Sequence, residues 1–351
     1  MSTKIFAKHI IRIKEAILIN NYLDTFIYTP TIFAGTGVPG FNNMWPANPQ
    51  NPLGDVPLPI AQINHPRGLS ADYLGNLYFA DEYNGCVRMV TRDDAGAWVI
   101  RTIAGDGNEA GSGNPPEDGP AFGMELYEPM DVDVSAHCHY VVFLNTDSHM
   151  VHLLEMNHEH EPWIHHIAGI YNPGGGGYVQ PGSGLAKEAR FKYPQGIAIT
   201  KDASTIYVAD SQNHVIRKLT KVQEGEWMIE PFAGTTAAGY GGDGGHALAA
   251  MLYEPIGIAL DEAEQNLYIA DMRNHRIRKI NLLSWLITTV AGNGQMPPNQ
   301  YTNVNDGTVF ELGASLNAVA LFKYPSDVAI DANGNLYVAD YEHNRIRKIR
   351  A

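Results

Sequence analysis

One segment of this 351-residue chain, YPQGIAITKDASTIYVADSQNHVIRKL at residues 193–219, recurs at residues 254–280 as EPIGIALDEAEQNLYIADMRNHRIRKI. It recurs again at 324–349 and 65–90, with a degraded copy from Glu128. Five prolines anchor the copies, Pro66, Pro129, Pro194, Pro255 and Pro325, at spacings of 63, 65, 61 and 70 residues. A fixed period of this kind marks a repeat architecture, in which each unit buries its apolar face only against its neighbours.

Each copy holds three strand-like pieces. The first follows the proline (GIAI, GIAL, DVAI), and the second ends in Ala-Asp (LYVAD, LYIAD, LYFAD). In the third, NHRIRKI, alternation sets Ile277 and Lys279 on one side and Arg276, Arg278 and Ile280 on the other. A fourth piece closes on Ala-Gly at Gly105, Gly169, Gly234 and Gly292. Turns such as Ala332-Asn333-Gly334-Asn335 separate the pieces. With 35 glycines and 21 prolines, the chain favours short strands over long helices. Four antiparallel strands repeated around a ring describe a β-propeller. The fifth copy stops at Arg350-Ala351, and TPTIFAG at 29–35 has the pattern of its missing fourth strand. The expected fold is therefore all-β: a five-bladed β-propeller of four-stranded antiparallel blades, the ring closed by an N-terminal strand that completes the last blade. Such closure would join the two ends of one complete domain over residues 28–351. Residues 1–27 form an N-terminal extension. There Ile10, Ile13 and Ile17 have helical spacing, whereas His9-Ile10-Ile11-Arg12 echoes the third strand, so helix and extra strand compete.

These residues resemble NHL repeats, the propeller module named for its Asn-His-Leu signature. The matching sites read Asn213-His214-Val215, Asn274-His275-Arg276 and His343-Asn344-Arg345. Gly242-Asp243-Gly244-Gly245-His246-Ala247 resembles the Gly-Asp-Gly-Gly-Pro-Ala linker of long bacterial NHL arrays. The resemblance covers residues 29–351, and it departs from the family in the degraded second copy, the long repeats and the copy number of five. It implies the propeller fold. It does not transfer a function, because the family's activities run from protein or RNA binding to lyase chemistry.

The net charge of −14 disfavours both nucleic acid and anionic membrane surfaces, which are bound by neutralising phosphates with Lys and Arg. Cys86 and Cys138 make no disulfide framework. No apolar run approaches the roughly 20 residues of a membrane span. The N-terminus, interrupted by Lys8, Arg12, Lys14 and Glu15, has no Sec-type signal pattern. A cytoplasmic location is the default reading and an extracellular one the alternative.

Several residue columns invite a functional reading. The column Asp81, Asn145, Asp210, Asp271 and Asp340 stands where the second strand turns, and a residue repeated in every blade serves the repeat. An Asp there accepts hydrogen bonds from the following turn. The column Arg88, His152, Arg217, Arg278 and Arg347 is expected to pair with it between blades. The Gly-rich stretches 105–119 and 174–184 lead into no helix and read as long loops rather than phosphate cradles. Eight of the 14 histidines lie between 137 and 166. Among them His137, His139, His158 and His160 form two His-x-His pairs on turns opening on one face, a candidate divalent metal site for zinc, copper or nickel. No other cofactor is expected.

The residues around each anchoring proline vary while the frame stays fixed, as do those of the turn after each Ala-Asp. This lead-in side of the blades is the candidate binding face: His65, Arg67, Glu82, Tyr83, Tyr127, Glu128, Tyr193, Gln195, Gln212, Tyr253, Glu254, Arg273, Tyr324, Tyr341 and Glu342. Tyrosines beside carboxylates and amides suit a protein or glycan partner. The sequence thus supports a non-catalytic binding or assembly module, with self-assembly through the N-terminal extension as one route. The alternative is a metal-assisted lyase or hydrolase at the channel mouth.

Overall fold

Alternating apolar residues flanked by Gly, Asn and Pro become short antiparallel strands, five sheets of them. The computed structural model describes residues 34–41, 55–108, 117–156, 162–171, 183–295, 310–311 and 321–350. Contacts divide the chain into two compact units, residues 1–174 with 201–203, and 175–200 with 204–351. The first unit carries blades 1 and 2 and the second carries blades 3, 4 and 5. The fold is all-β, and the five blades of β-propeller type begin at the five anchoring prolines.

Blade 3 shows the pattern. Its strands Pro194–Ile199, Thr205–Asp210, Val215–Gln223 and Glu226–Ala233 follow in order across the sheet, each antiparallel to the last. Blade 4 repeats it with Pro255–Leu260, Asn266–Asp271, Arg276–Asn281 and Ile287–Ala291. Strand counts depart from a uniform four. Blades 1, 2 and 3 each gain a two-residue outer strand, Val56–Pro57, Gly119–Pro120 and Gly184–Leu185. Blade 5 has three antiparallel strands and a short parallel pairing at Phe310–Glu311.

Alternation along the third strand sends its residues into two different cores. Ile280 packs with Phe232 and Ile216 of blade 3, whereas Ile277 packs with Phe322 and Val338 of blade 5. Blade 4 is thus the filling between blades 3 and 5, and within the first unit Phe143 and Val141 of blade 2 meet Val87 and Ile103 of blade 1 in the same way. First strands of adjacent blades run backbone on backbone. A Cβ at Gly257 would lie 2.6 Å from Asp327 Cα, and one at Gly196 would collide with the Ile256 carbonyl.

The strand expected at 29–35 lies, up to residue 33, outside the described residues, as does the extension 1–27. Of that segment only Ala34 and Gly35 are described, outside any strand; the Gly35 amide donates to the Leu58 carbonyl (3.3 Å), as Gly105 does to Ala121 (3.0 Å) and Gly234 to Ala247 (3.0 Å). Gly105 ends its fourth strand and Gly234 directly follows one, each bonded to the following blade's lead-in, and Gly35 makes the matching bond to the lead-in of blade 1.

Candidate functional site

The lead-in segment and the turn after the second strand are held together by the same bonds in blade after blade. The carboxylate of Asp81 accepts from the Asn64 amide (2.7 Å), Asp210 from Lys192 (2.7 Å), Asp271 from Tyr253 (2.8 Å) and Asp340 from Lys323 (2.7 Å). In blade 2, Asn145 Oδ1 serves the Tyr127 amide in the same role (2.5 Å). A second bond returns from the turn: Tyr83 to the Asn64 carbonyl, Asp147 to Tyr127, Gln212 to Lys192, Arg273 to Tyr253 and Glu342 to Lys323, all at 3.1–3.2 Å. The other carboxylate oxygen takes the turn's buried Asn, Asn84, Asn213 or Asn274, at 2.8–2.9 Å. The Asp column is therefore a structural brace, the role read for it from the sequence. Burial pushes Asp81, Asp210 and Asp271 up to about 6, even with an arginine beside each.

The arginines pair within a blade, which corrects the expected pairing between blades. Arg88 meets Asp81 (3.1 Å), Arg278 meets Asp271 (3.1 Å), and Arg347 meets Asp340 (2.6 Å). Register explains this: Asp271 lies opposite Arg276 on the adjacent strand, so Arg278, two residues on, shares its face. Aromatic rings cover the guanidinium groups. Tyr240 lies 3.6 Å from Arg276 and 5.1 Å from Arg278, and Phe41 lies 5.3 Å from Arg88.

On this frame the candidate face carries different side chains in each blade. In blade 1 the rings of His65 and Tyr83 stack at 4.5 Å, 3° from parallel. The Glu82 carboxylate accepts from Arg67 Nε (3.0 Å) and contacts His65 Nδ1. Burial would push Glu82 up, but the bonds from His65 and Arg67 outweigh it and hold the carboxyl below its ordinary range. In blade 4, Arg273 pairs with Glu254 and lies over the Tyr253 ring at 5.6 Å. In blade 5, Lys323 reaches Glu342 (3.7 Å), and Tyr341 is exposed. Tyr193, Gln195, Gln212, Tyr253, Glu254, Tyr324 and Glu128 are partly exposed. Glu82 and Tyr127 are buried, so Glu82 holds the exposed-side groups His65 and Arg67 rather than facing solvent itself.

Backbone conformation adds a feature that sequence reasoning missed. The residue before every anchoring proline is left-handed: His65 (φ 62°), Glu128 (49°), Tyr193 (47°), Glu254 (48°) and Tyr324 (54°). None is glycine, and a residue preceding proline is normally extended, so each is a strained position fixed by its surroundings. Also missed was the next column, Gly85, His149, His214, His275 and Asn344, left-handed at φ values of 53–60°. Its makeup, Gly, His and Asn at one repeat position, was the available signal.

The metal candidate is only partly placed. His137 and His139 are exposed, their rings edge-on at 6.4 Å, while His158 and His160 lie outside the described residues. Among the described residues no three His, Cys, Asp or Glu side chains are grouped to hold a metal ion. Both cysteines are free. No described helix is long and apolar enough to cross a membrane.

Comparisons with known proteins agree with the repeat. The NHL repeat family model matches residues 252–280 and 322–349. The chain is 28% identical over 296 residues to Protein SUPPRESSOR OF QUENCHING 1, chloroplastic, of Arabidopsis thaliana, covering 82% of this chain and 25% of that protein. It is 25% identical over 315 residues to NHL repeat-containing protein 2 of Gallus gallus, covering 82% and 39% respectively. This chain thus spans between a quarter and two-fifths of the length of those relatives. Among solved structures, an auxiliary nutrient binding protein from Bacteroides ovatus shares the fold with a TM-score of 0.55 at 16% identity, over 82% of this chain and 59% of that one. Repeat signature, braced blade and relatives converge: the chain carries NHL repeats at residues 252–280 and 322–349 and is similar to NHL repeat-containing proteins along most of its length.

Proposed function

We propose that this chain is a binding module whose lead-in side takes a protein or glycan partner. The observation that carries the reading is the separation of frame from side chains. The brace bonds recur in all five blades within 2.5–2.8 Å, while the residues they present run from His65 and Tyr83 to Lys192 and Gln212 to Glu254 and Arg273. A rigid repeated scaffold with varied exposed side chains is how repeat proteins build a recognition surface. Half-exposed tyrosines and paired charges supply ring faces and hydrogen-bonding groups for such a surface. The Bacteroides ovatus structure is described as nutrient binding, which suits the same use of this fold.

The test is a glycan array and a protein array probed with the intact chain and with the variant Arg67→Ala/Gln195→Ala/Arg273→Ala/Tyr341→Ala. Binding lost in the variant at unchanged melting temperature supports the reading. A ligand held equally well by both proteins refutes this face.

A further inference from the structure

We propose that His214 and His275 form a pH-responsive latch on the lead-in segments of blades 4 and 5, closed while both imidazoles are neutral and released when they take a proton. The functional consequence rests on the binding face proposed above; the latch itself does not.

The latch is a bond between one blade and the next. The Glu254 amide donates to His214 Nδ1 (3.2 Å), and the Tyr324 amide donates to His275 Nδ1 (3.2 Å). A backbone N–H can only donate, so each Nδ1 must carry a lone pair, and the ring must be the neutral tautomer protonated at Nε2. Protonation at Nδ1 would set two donors against each other and leave a partly buried amide without its acceptor. The amides concerned belong to the strained residues before Pro255 and Pro325, at φ 48° and 54°, where backbone preference already opposes the native conformation. The segments released would carry Tyr253, Glu254 and Tyr324 of the candidate face.

The surroundings favour the neutral ring at pH 7. Burial holds both histidines below their ordinary range. Around His214, Glu254 and the Ser211 backbone favour the charged form, whereas Lys192 and Arg273 oppose it. Around His275, Asp340 favours it, whereas Arg276, Lys323 and Arg273 oppose it. The Tyr253 and Tyr324 rings stand edge-on to the two imidazoles at 5.4 and 4.8 Å. A pKa lowered on folding means that the open segment binds the proton better. The latch therefore contributes fully above the ordinary histidine range and loses its contribution as pH falls below it.

Amide exchange by NMR on the intact chain, from pH 7.5 to 5, reads the latch directly. Protection factors of the Glu254 and Tyr324 amides are expected to fall below pH 6.5 by up to about tenfold per pH unit. In His214→Asn and His275→Asn the fall should vanish at the matching amide. Asparagine is a tolerated replacement, since Asn344 holds the same left-handed position in blade 5. Protection of Val208 and Ile269, both fully buried in central strands, reports that the variants are folded. Flat wild-type protection, or an unchanged pH slope in folded variants, would overturn the latch. Either result is independent of any ligand, so it leaves the binding-face reading to its own test.

Discussion

Arg278 and Arg88 occupy the same repeat position and are both fully buried, yet their replacement by methionine should have very different costs. Arg278 donates to Asp271 (3.1 Å), twice to Asp243 (3.1 and 2.7 Å), and to the Gly241 and Met251 carbonyls (3.1 and 3.3 Å). Removing it strands the Asp271 carboxylate in the interior, a loss of about 3–5 kcal/mol. Arg88 donates only to Asp81 (3.1 Å), and its Nε and Nη2 have no acceptor among the described residues. Phe41 covers it where blade 4 has both Tyr240 and Asp243. Two unmet buried donors already cost roughly 1–3 kcal/mol each, and methionine removes that cost along with the ion pair. Arg88→Met should therefore lose only about 0–2 kcal/mol. At roughly 2–4 °C per kcal/mol for a unit of this size, Arg278→Met falls by about 6–20 °C and Arg88→Met by about 0–8 °C. The two residues belong to different units, so urea and thermal transitions are compared with the wild-type transition of the same unit. The Arg278→Met cost should also shrink on going from pH 8 to pH 5. Without the guanidinium, the Asp271 pKa is raised further above its unfolded value, so the variant loses stability as pH rises through it. Equal costs for the two variants, or the reverse order, would refute the reasoning.

Gly257→Ala should cost about 1–3 kcal/mol by urea unfolding, since its methyl meets the Asp327 backbone at 2.6 Å; a neutral result would show that the first strands can part. Glu82→Gln should lower the melting temperature most above pH 5. The gap should narrow on acidification, because a carboxyl held below its ordinary range contributes stability that disappears as pH falls through its folded pKa. A gap that widens in acid would contradict this. Burial, then the bond to Asp72, pushes the Cys138 thiol up to about 12, and burial pushes Cys86 higher still. Both should therefore alkylate far more slowly at pH 8 in native than in unfolded protein, by mass spectrometry, with Asp72→Asn speeding Cys138 alone.

The blades were legible because the repeat writes the first three strands five times and the fourth four times, and the Ala-Asp and Arg columns could be recognised as braces without knowing their partners. What escaped was geometry that depends on conformation rather than residue type. Nothing in Glu254-Pro255 or Tyr324-Pro325 announces a left-handed residue before proline, since local preference points the other way and tertiary bonds decide it. The histidine of the Asn-His pair likewise reads as an ordinary repeat position in sequence, and only the folded chain brings its Nδ1 to the next blade's amide. The in-blade Arg–Asp pairing was within reach, because antiparallel register places the two on one face, but it required the register.

The repeat extends beyond the strands into the loop that follows Gly35. Gly35-Thr36-Gly37-Val38-Pro39-Gly40-Phe41 runs parallel to Gly234-Thr235-Thr236-Ala237-Ala238-Gly239-Tyr240. The correspondence is physical as well as alphabetical. The Gly40 carbonyl accepts from Asn84 Nδ2 (2.8 Å) as Gly239 accepts from Asn274 Nδ2 (2.7 Å), and Phe41 and Tyr240 each cover the blade's buried arginine. In blades 1 and 4 the loop before the blade is therefore the lid on its Arg–Asp brace, and it does this by delivering one carbonyl and one ring. That explains how anchors 61 to 70 residues apart can carry equivalent blades. It also explains why the variation allowed at the lead-in side does not disturb the core: the lead-in segment serves the brace with backbone amides and the loop adds a carbonyl and a ring, so the lead-in side chains are left to differ.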